Sequence, residues 1–341
     1  MKVCICGGGN LGHVIAGFIA AQRQHDVCML TRHPERWQQQ LCIETPDRGL
    51  LEGRLDGIYN DPQKAVADAD IVLLCLPGFS ICEVLRQIKD YLQPQTAVGS
   101  VVSSTGFFFG AMQLLPACNP LFGFQRVPFI ARTIDYGHRA RLTGYKNKLH
   151  LAVEHCDHPE PLRQALEAML RTPIKLLDSF YEASISNSNP LLHPSRIYSM
   201  WKDWHEDITY SRIPLFYEEW TDEASRLYID MDRELHVLLR KLPVSEGSIP
   251  TVLEYYESTD AATLTRKLQS IEAFKGIPAP MKPVGGGYVP DLQSRYFTED
   301  FPYGLAIIDR LAKEHHVEAP TIRQLCQWGE QLIATHAHAT E

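Results

Sequence analysis

Three short stretches of the 341-residue sequence combine residue types that do chemistry: GGGNLG at 7–12, NSNPLLHP at 187–194 and SRYFTED at 294–300. The first fits G-x-G-x-x-G with Gly7, Gly9 and Gly12. In such a loop the first glycine allows a tight turn, the second lets the backbone approach a pyrophosphate, and the third permits close helix–strand packing. Free N–H groups near Asn10 and Leu11 then face the anion. The pattern gains specificity from its context. It follows an apolar strand, MKVCIC, and opens GNLGHVIAGFIAAQ, which is apolar at helical spacing (Leu11, Val14, Ile15, Phe18, Ile19). The other reading is a glycine-rich turn that binds nothing.

The end of the next strand selects the cofactor. A carboxylate there suits the ribose 2′-OH of NAD, and arginine suits a 2′-phosphate. The sequence has Thr31 and Arg32, with Arg36 nearby. NADP is therefore expected, with NAD as the alternative; a solvated surface arginine is the plainer reading of Arg32. The CLPG turn containing Pro77 is expected to border the cofactor at the carboxyl end of its strand.

Of the fourteen histidines, His193 stands apart. Pro190 and Pro194 flank it and restrict its backbone, and Asn189 lies four residues earlier. By contrast, His336 and His338 read as a polar tail, His315 and His316 as a helix end, and His155 and His158 as a turn. On its own, His193 is open to two readings, a packed core imidazole or a proton donor. SRYFTED, just after a Gly- and Pro-rich stretch, adds Arg295 and Asp300. Thr298 is expected to cap a following helix whose first turn carries Asp300, so that the helix dipole favours the ionised carboxylate. Such a carboxylate orients an imidazole and stabilises its protonated form. Arg295 offers a planar fork for a substrate carboxylate. Ordinary charge at a helix start plus a loop arginine is the alternative.

The elements that must position these residues fall into two classes. Up to residue 178 apolar strands (MKVCIC, DVCMLT, DADIVLLCLP, TAVGSVV, IKLLDSF) alternate with helices such as PLRQALEAMLRTP. That alternation predicts an α/β fold, a Rossmann-type doubly wound parallel sheet. The segment FGFQRVPFIARTIDYGHRARLTGYKNKLHLAVE is expected to add paired strands to the same sheet. From 179 to 341 the strand signals largely stop, and an all-α domain is expected from stretches such as DEASRLYIDMDRELHVLLRKL.

Composition excludes several classes. A net charge of −8 argues against a general nucleic-acid binder, and no apolar run approaches the roughly 20 residues of a membrane span. The apolar run at the N-terminus is too short for a signal peptide. Nine scattered cysteines without CxxC suggest a reducing, cytoplasmic setting and no metal site. Cys4 and Cys6 are read as facing opposite sides of their strand.

Taken in order, GGGNLG with VLLCLP, NPLLHP, LFYEEWTDEASRLYIDMDRE and SRYFTEDFP resemble the octopine/nopaline (opine) dehydrogenases along nearly the whole chain. The resemblance implies a helical domain like the C-terminal part of 6-phosphogluconate dehydrogenase. It also implies an NAD(P)H-dependent reductive condensation of an amino acid with a 2-oxo acid, with hydride delivered to the imine. His193 is the implied acid/base, Asp300 its partner and Arg295 the third member, with Asn189 beside the substrates or the imidazole. Several members that use NADH also carry threonine at the end of the second strand, so Arg32 alone argues for the phosphate. A homodimer is one assembly open to the chain. Two other functions are weighed. One is a simple 2-oxo acid reductase of the ketopantoate-reductase kind, which wants a helical-domain lysine that is missing near NPLLHP; the other is a non-catalytic NAD(P) sensor.

Overall fold

Continuous apolar runs build the centre of the first unit, Met1–Ser186, in the computed structural model, which describes residues 1–337. Its elements are β1 (Lys2–Cys6), α1 (Asn10–Ala20), β2 (Asp26–Leu30), β3 (Gln40–Thr45), β4 (Gly49–Arg54), β5 (Gly57–Tyr59), α2 (Pro62–Val66), β6 (Ile71–Leu74) and α3 (Gly78–Ile88). They continue with β7 (Ala97–Val101), α4 (Phe107–Leu114), β8 (Leu121–Phe124), β9 (Phe129–Asp135), β10 (Arg139–Tyr145), β11 (Leu149–Glu154), α5 (Glu160–Leu170), β12 (Ile174–Leu176) and α6 (Phe180–Ile185). The main sheet runs β12-β11-β8-β7-β6-β1-β2-β5, parallel from β5 to β8. Strands β6 and β7 are buried at every position, in keeping with nearly continuous apolar runs. Successive strands turn to opposite sides at β1, so a crevice opens beyond the carboxyl ends of β1 and β6. The expected doubly wound sheet is present.

Two expectations about strands need correction. Strand β11 does extend the main sheet, antiparallel to β8, but the β9–β10 hairpin does not. It joins β3 and β4 in a separate four-stranded sheet, β4-β3-β10-β9. The reason lies in α1, which is buried continuously from Gly12 to Ala20 and so needs cover on its outer face as well. Gly17 and Gly53 permit that cover. A Cβ on Gly17 would lie 2.6 Å from Ile43, and one on Gly53 would lie 2.5 Å from the Gly17 carbonyl oxygen. Cys4 and Cys6 share one strand face, as residues two apart must, with sulfurs 3.9 Å apart. The compact first unit extends to Ser186, beyond the expected boundary at 178, because α6 packs on β11 and its Glu182 carbonyl accepts a 3.2 Å hydrogen bond from Gln125.

The second unit, from Asn187 on, is helical: α7 (Asn189–Trp201), α8 (Asp222–Leu239), α9 (Val252–Tyr255), α10 (Ala261–Ser270), α11 (Arg295–Thr298), α12 (Ala306–Glu314) and α13 (Pro320–Ala337). A π-helical turn, Phe301–Leu305, leads into α12. The Gly- and Pro-rich stretch is not wholly irregular; β13 (Met281–Val284) and β14 (Gly287–Pro290) form a hairpin within it. His336 falls within α13, and His338 lies outside the described residues. No helix among the described residues is long and apolar enough to cross a membrane, and no metal-binding cluster occurs among them.

His236 on α8 ties down the segment ahead of α9. Its Nδ1 lies 3.0 Å from the Asp232 carbonyl oxygen and its Nε2 3.2 Å from that of Ile249. Both nitrogens therefore face acceptors, and the ring is satisfied only when both carry protons. The bond to the Asp232 side chain, reinforced by these carbonyls, lifts the imidazole to about 9. A value raised on folding stabilises the native state fully below the unfolded value near 6.5 and loses that effect as pH climbs to about 9. The urea midpoint of the protein is expected to fall between those two pH values, and His236→Gln should flatten that part of the profile. An identical slope in the variant would show that another group is responsible.

Candidate active site

The glycine loop joins β1 to α1 at the crevice. Gly7 has φ +111°, and a Cβ there would lie 2.5 Å from the Cys75 carbonyl oxygen. Only glycine fits that turn without strain. A Cβ on Gly12 would lie 1.9 Å from the Gly7 carbonyl oxygen, so the start of α1 packs directly on the loop. Gly9 is different, with nothing within 4 Å of a Cβ. Helix α1 begins at Asn10, and its first intrahelical bond runs from His13 N–H to the Gly9 carbonyl at 3.0 Å. The amides of Asn10, Leu11 and Gly12 thus have no acceptor within the helix and form a ready anion site.

A cavity of ≈ 400 Å³ opens beside this loop, and Gly7, Gly9, Arg32 and Pro77 are among the residues lining it. Asn10, Leu11 and Gly12 do not line this cavity. The Asn10 side chain accepts the Thr133 N–H at 2.9 Å, and Leu11 packs against the core. Arg32 is exposed, and its guanidinium has no side-chain partner among the described residues. Arg36, in contrast, lies over the Tyr136 ring at 4.6 Å. No carboxylate stands at the end of β2, where buried Thr31 follows Leu30. Tyr136 and Phe79 also line the cavity, and the sequence carried no pattern that singled them out. A left-handed Gly7, an open Gly9 and an uncapped helix start together fit a dinucleotide.

In the second unit His193 sits on α7, buried to 8% exposure. Its Nδ1 lies 2.7 Å from Asp300 Oδ2, and its Nε2 lies 2.9 Å from the Tyr217 hydroxyl. A carboxylate accepts but does not donate, so Nδ1 carries the proton and Nε2 faces the Tyr217 hydroxyl. Tyr217 was not anticipated, although the aromatic LFYEEW run contains it. Burial pushes its phenol far above the usual value, so it stays protonated.

The NPLLHP segment is helical, with Pro190 in the first turn, where no intrahelical donor is needed. The local backbone departs from expectation at Thr298. Thr298 does not cap a helix before Asp300. The chain is already helical from Arg295, the Thr298 hydroxyl donates to the Ser294 carbonyl at 3.3 Å, and Asp300 lies between α11 and the π turn. Asn189, one turn before His193, does not bond the imidazole, whose two nitrogens are taken by Asp300 and Tyr217. Its half-buried amide has no side-chain partner among the described residues. Arg295 is exposed at the start of α11, next to Tyr296, whose ring meets the imidazole edge-on at 4.4 Å.

A family model described as NAD/NADP octopine/nopaline dehydrogenase, alpha-helical domain, matches residues 176–333, and one described as ketopantoate reductase PanE/ApbA matches residues 3–103. The chain is 28% identical to an opine dehydrogenase of Haliotis discus hannai, over 98% of this chain and 90% of that protein. Among solved structures it is similar to octopine dehydrogenase with NADH and L-arginine (TM-score 0.86, 24% identity, 98% of this chain and 90% of that one). It is also similar to yersinopine dehydrogenase with NADP+ bound (TM-score 0.74, 16% identity, 100% and 93%). The helical part of the chain thus matches the model of the octopine/nopaline dehydrogenase alpha-helical domain, and the chain as a whole is similar along nearly its full length to an opine dehydrogenase.

Proposed function

We propose that this protein is an opine-type dehydrogenase that condenses an amino acid with a 2-oxo acid and reduces the resulting imine, with NADPH as the preferred reductant. The observation that carries this reading is the 2.7 Å bond between His193 and Asp300 in a helical unit that matches this family model. The octopine dehydrogenase described above holds NADH and L-arginine, which supports an amino acid as the amine. The ketopantoate reductase match stops at residue 103, within the nucleotide unit, and so says nothing about the proton donor.

Reducing a C=N bond consumes one hydride and one proton. A dinucleotide held by the glycine loop and Arg32 would supply the hydride. His193 supplies the proton from Nε2 and recovers it from the substrate in the reverse oxidation, a role worth roughly 10²–10⁴ in rate. Asp300 holds Nδ1–H and stabilises the imidazolium. The exposed fork of Arg295 grips a substrate carboxylate, and the unpaired amide of Asn189 hydrogen-bonds the substrate one helical turn from His193. Arg32, with no side-chain partner among the described residues, favours the 2′-phosphate over the free hydroxyl.

NADPH oxidation should require both an amino acid and a 2-oxo acid. Oxidation with the oxo acid alone would identify a simple reductase, and dinucleotide binding without oxidation a sensor. His193→Gln should lower kcat by about 10²–10⁴ while fluorescence titration gives a near-normal dinucleotide affinity. Retained rate with lost affinity would overturn the assignment. Arg32→Ala should raise the KM for NADPH about tenfold or more and leave that for NADH unchanged; an equal effect on both removes the phosphate role. Because space above Gly9 is open, Gly9→Ala should leave the thermal midpoint unchanged and weaken both dinucleotides. Unaltered binding there would place the pyrophosphate elsewhere.

A further inference from the structure

We propose that Tyr217 is a positioning residue for the acid–base step, its hydroxyl held beside Nε2 of His193 as the partner of that nitrogen in both protonation states of the substrate-free protein, the form whose titration kcat/KM reports. The inference rests on the dehydrogenase reading above and goes beyond the His–Asp pair. Its basis is geometric. The hydroxyl lies 2.9 Å from Nε2, and the phenol ring stacks on Phe274 at 4.0 Å with a 16° tilt. The Trp220 ring is parallel to it within 6° at a centroid distance of 6.1 Å. These stacked neighbours restrict how the ring can turn.

The backbone carrying Tyr217 is clamped too. Arg196 stands one turn beyond His193 on α7 and is 4% exposed. Its Nε donates to the Phe216 carbonyl at 3.0 Å and its Nη2 to the Glu219 carbonyl at 2.6 Å. Burial lowers this guanidinium to about 10, which leaves it charged near neutrality. One helix thus carries both the imidazole and the clamp that sets its second partner. The titratable groups facing the imidazole are Asp300, Tyr217 and Tyr296. Burial raises both phenols, so neither ionises in the working range.

A hydroxyl suits this place because it donates as well as accepts. Neutral His193 accepts the phenolic O–H at Nε2; protonated His193 donates Nε2–H to the phenol oxygen, and only the hydroxyl hydrogen has to rotate. The second bond is charge-assisted and the stronger of the two. Removing the hydroxyl therefore disfavours the protonated ring more than the neutral one.

The test is Tyr217→Phe in the full-length protein, which keeps the ring stack. The pH profile of kcat/KM is measured in both directions, together with the 15N signals of the His193 imidazole, assigned by their loss in His193→Gln. The reductive profile, which needs the protonated ring, should lose activity at a pH lower by about one unit. The oxidative profile should rise at a correspondingly lower pH, and the 15N titration should move with them. Dinucleotide affinity by fluorescence should be unchanged. A uniform fall in rate with unmoved limbs and unmoved 15N titration would make Tyr217 a packing residue only. In the wild type, a neutral Nε2 signal characteristic of a nitrogen without a hydrogen-bond donor would overturn the proposal whether or not the variant folds. If no amino acid and oxo acid pair gives turnover, the dehydrogenase reading fails, while the 15N measurements still decide the role of Tyr217.

Discussion

The contact on which the second unit depends is the bond between His193 and Asp300, residues 107 apart in the chain. A half-buried carboxylate and a buried imidazole each lose hydration, and each is tolerated because the other replaces it. That exchange requires the π turn after Asp300 to lie against the start of α7. Gly304 makes the approach possible, since a Cβ there would come within 2.4 Å of the Pro190 ring. Gly329 on α13 does the same on another side, where a Cβ would lie 2.2 Å from the Phe301 ring. Two missing methyl groups thus let the π turn settle against α7 and α13, and Asp300 follows the backbone into place.

Close backbone approach governs the first unit as well. Gly12 against Gly7 seats α1 on the loop, and Gly17 against Ile43 seats the second sheet on α1. The amides at the start of that helix are left for an anion, and Arg32 adds positive charge at the end of β2. Residues suited to a dinucleotide belong to the first unit, and the hydrogen-bonded array of Asp300, His193 and Tyr217 to the second.

Much of this was legible in the residues, and the failures have definite causes. GGGNLG was readable because its requirements are local: a φ only glycine adopts, and a helix beginning three residues later. Strands β6 and β7 were readable because burial on both faces favours nearly continuous apolar runs. The β9–β10 hairpin was recognised, yet its sheet was misassigned, because alternation reports a buried face and not what buries it. Thr298 followed by an acid has the pattern of a cap, but the turn beginning at Arg295 had already started the helix. Tyr217 was hidden in an aromatic run whose members share a composition and differ only in where they point.

What the sequence by itself determined was the identity of the reactive groups and the fold class. Glycine spacing, apolar periodicity and the choice of His, Asp and Arg are properties of neighbouring residues and are carried by short segments. Only the tertiary structure decided which of those groups meet. It brought Asp300 and Tyr217 to opposite nitrogens of one imidazole, kept Asn189 and the guanidinium of Arg295 unbonded to it, and drew Arg36 onto Tyr136 while leaving Arg32 free. The reason is physical: hydrogen bonds and ring stacks depend on distances of a few ångströms between residues far apart in the chain, and those distances are set by how closely helices and turns can pack.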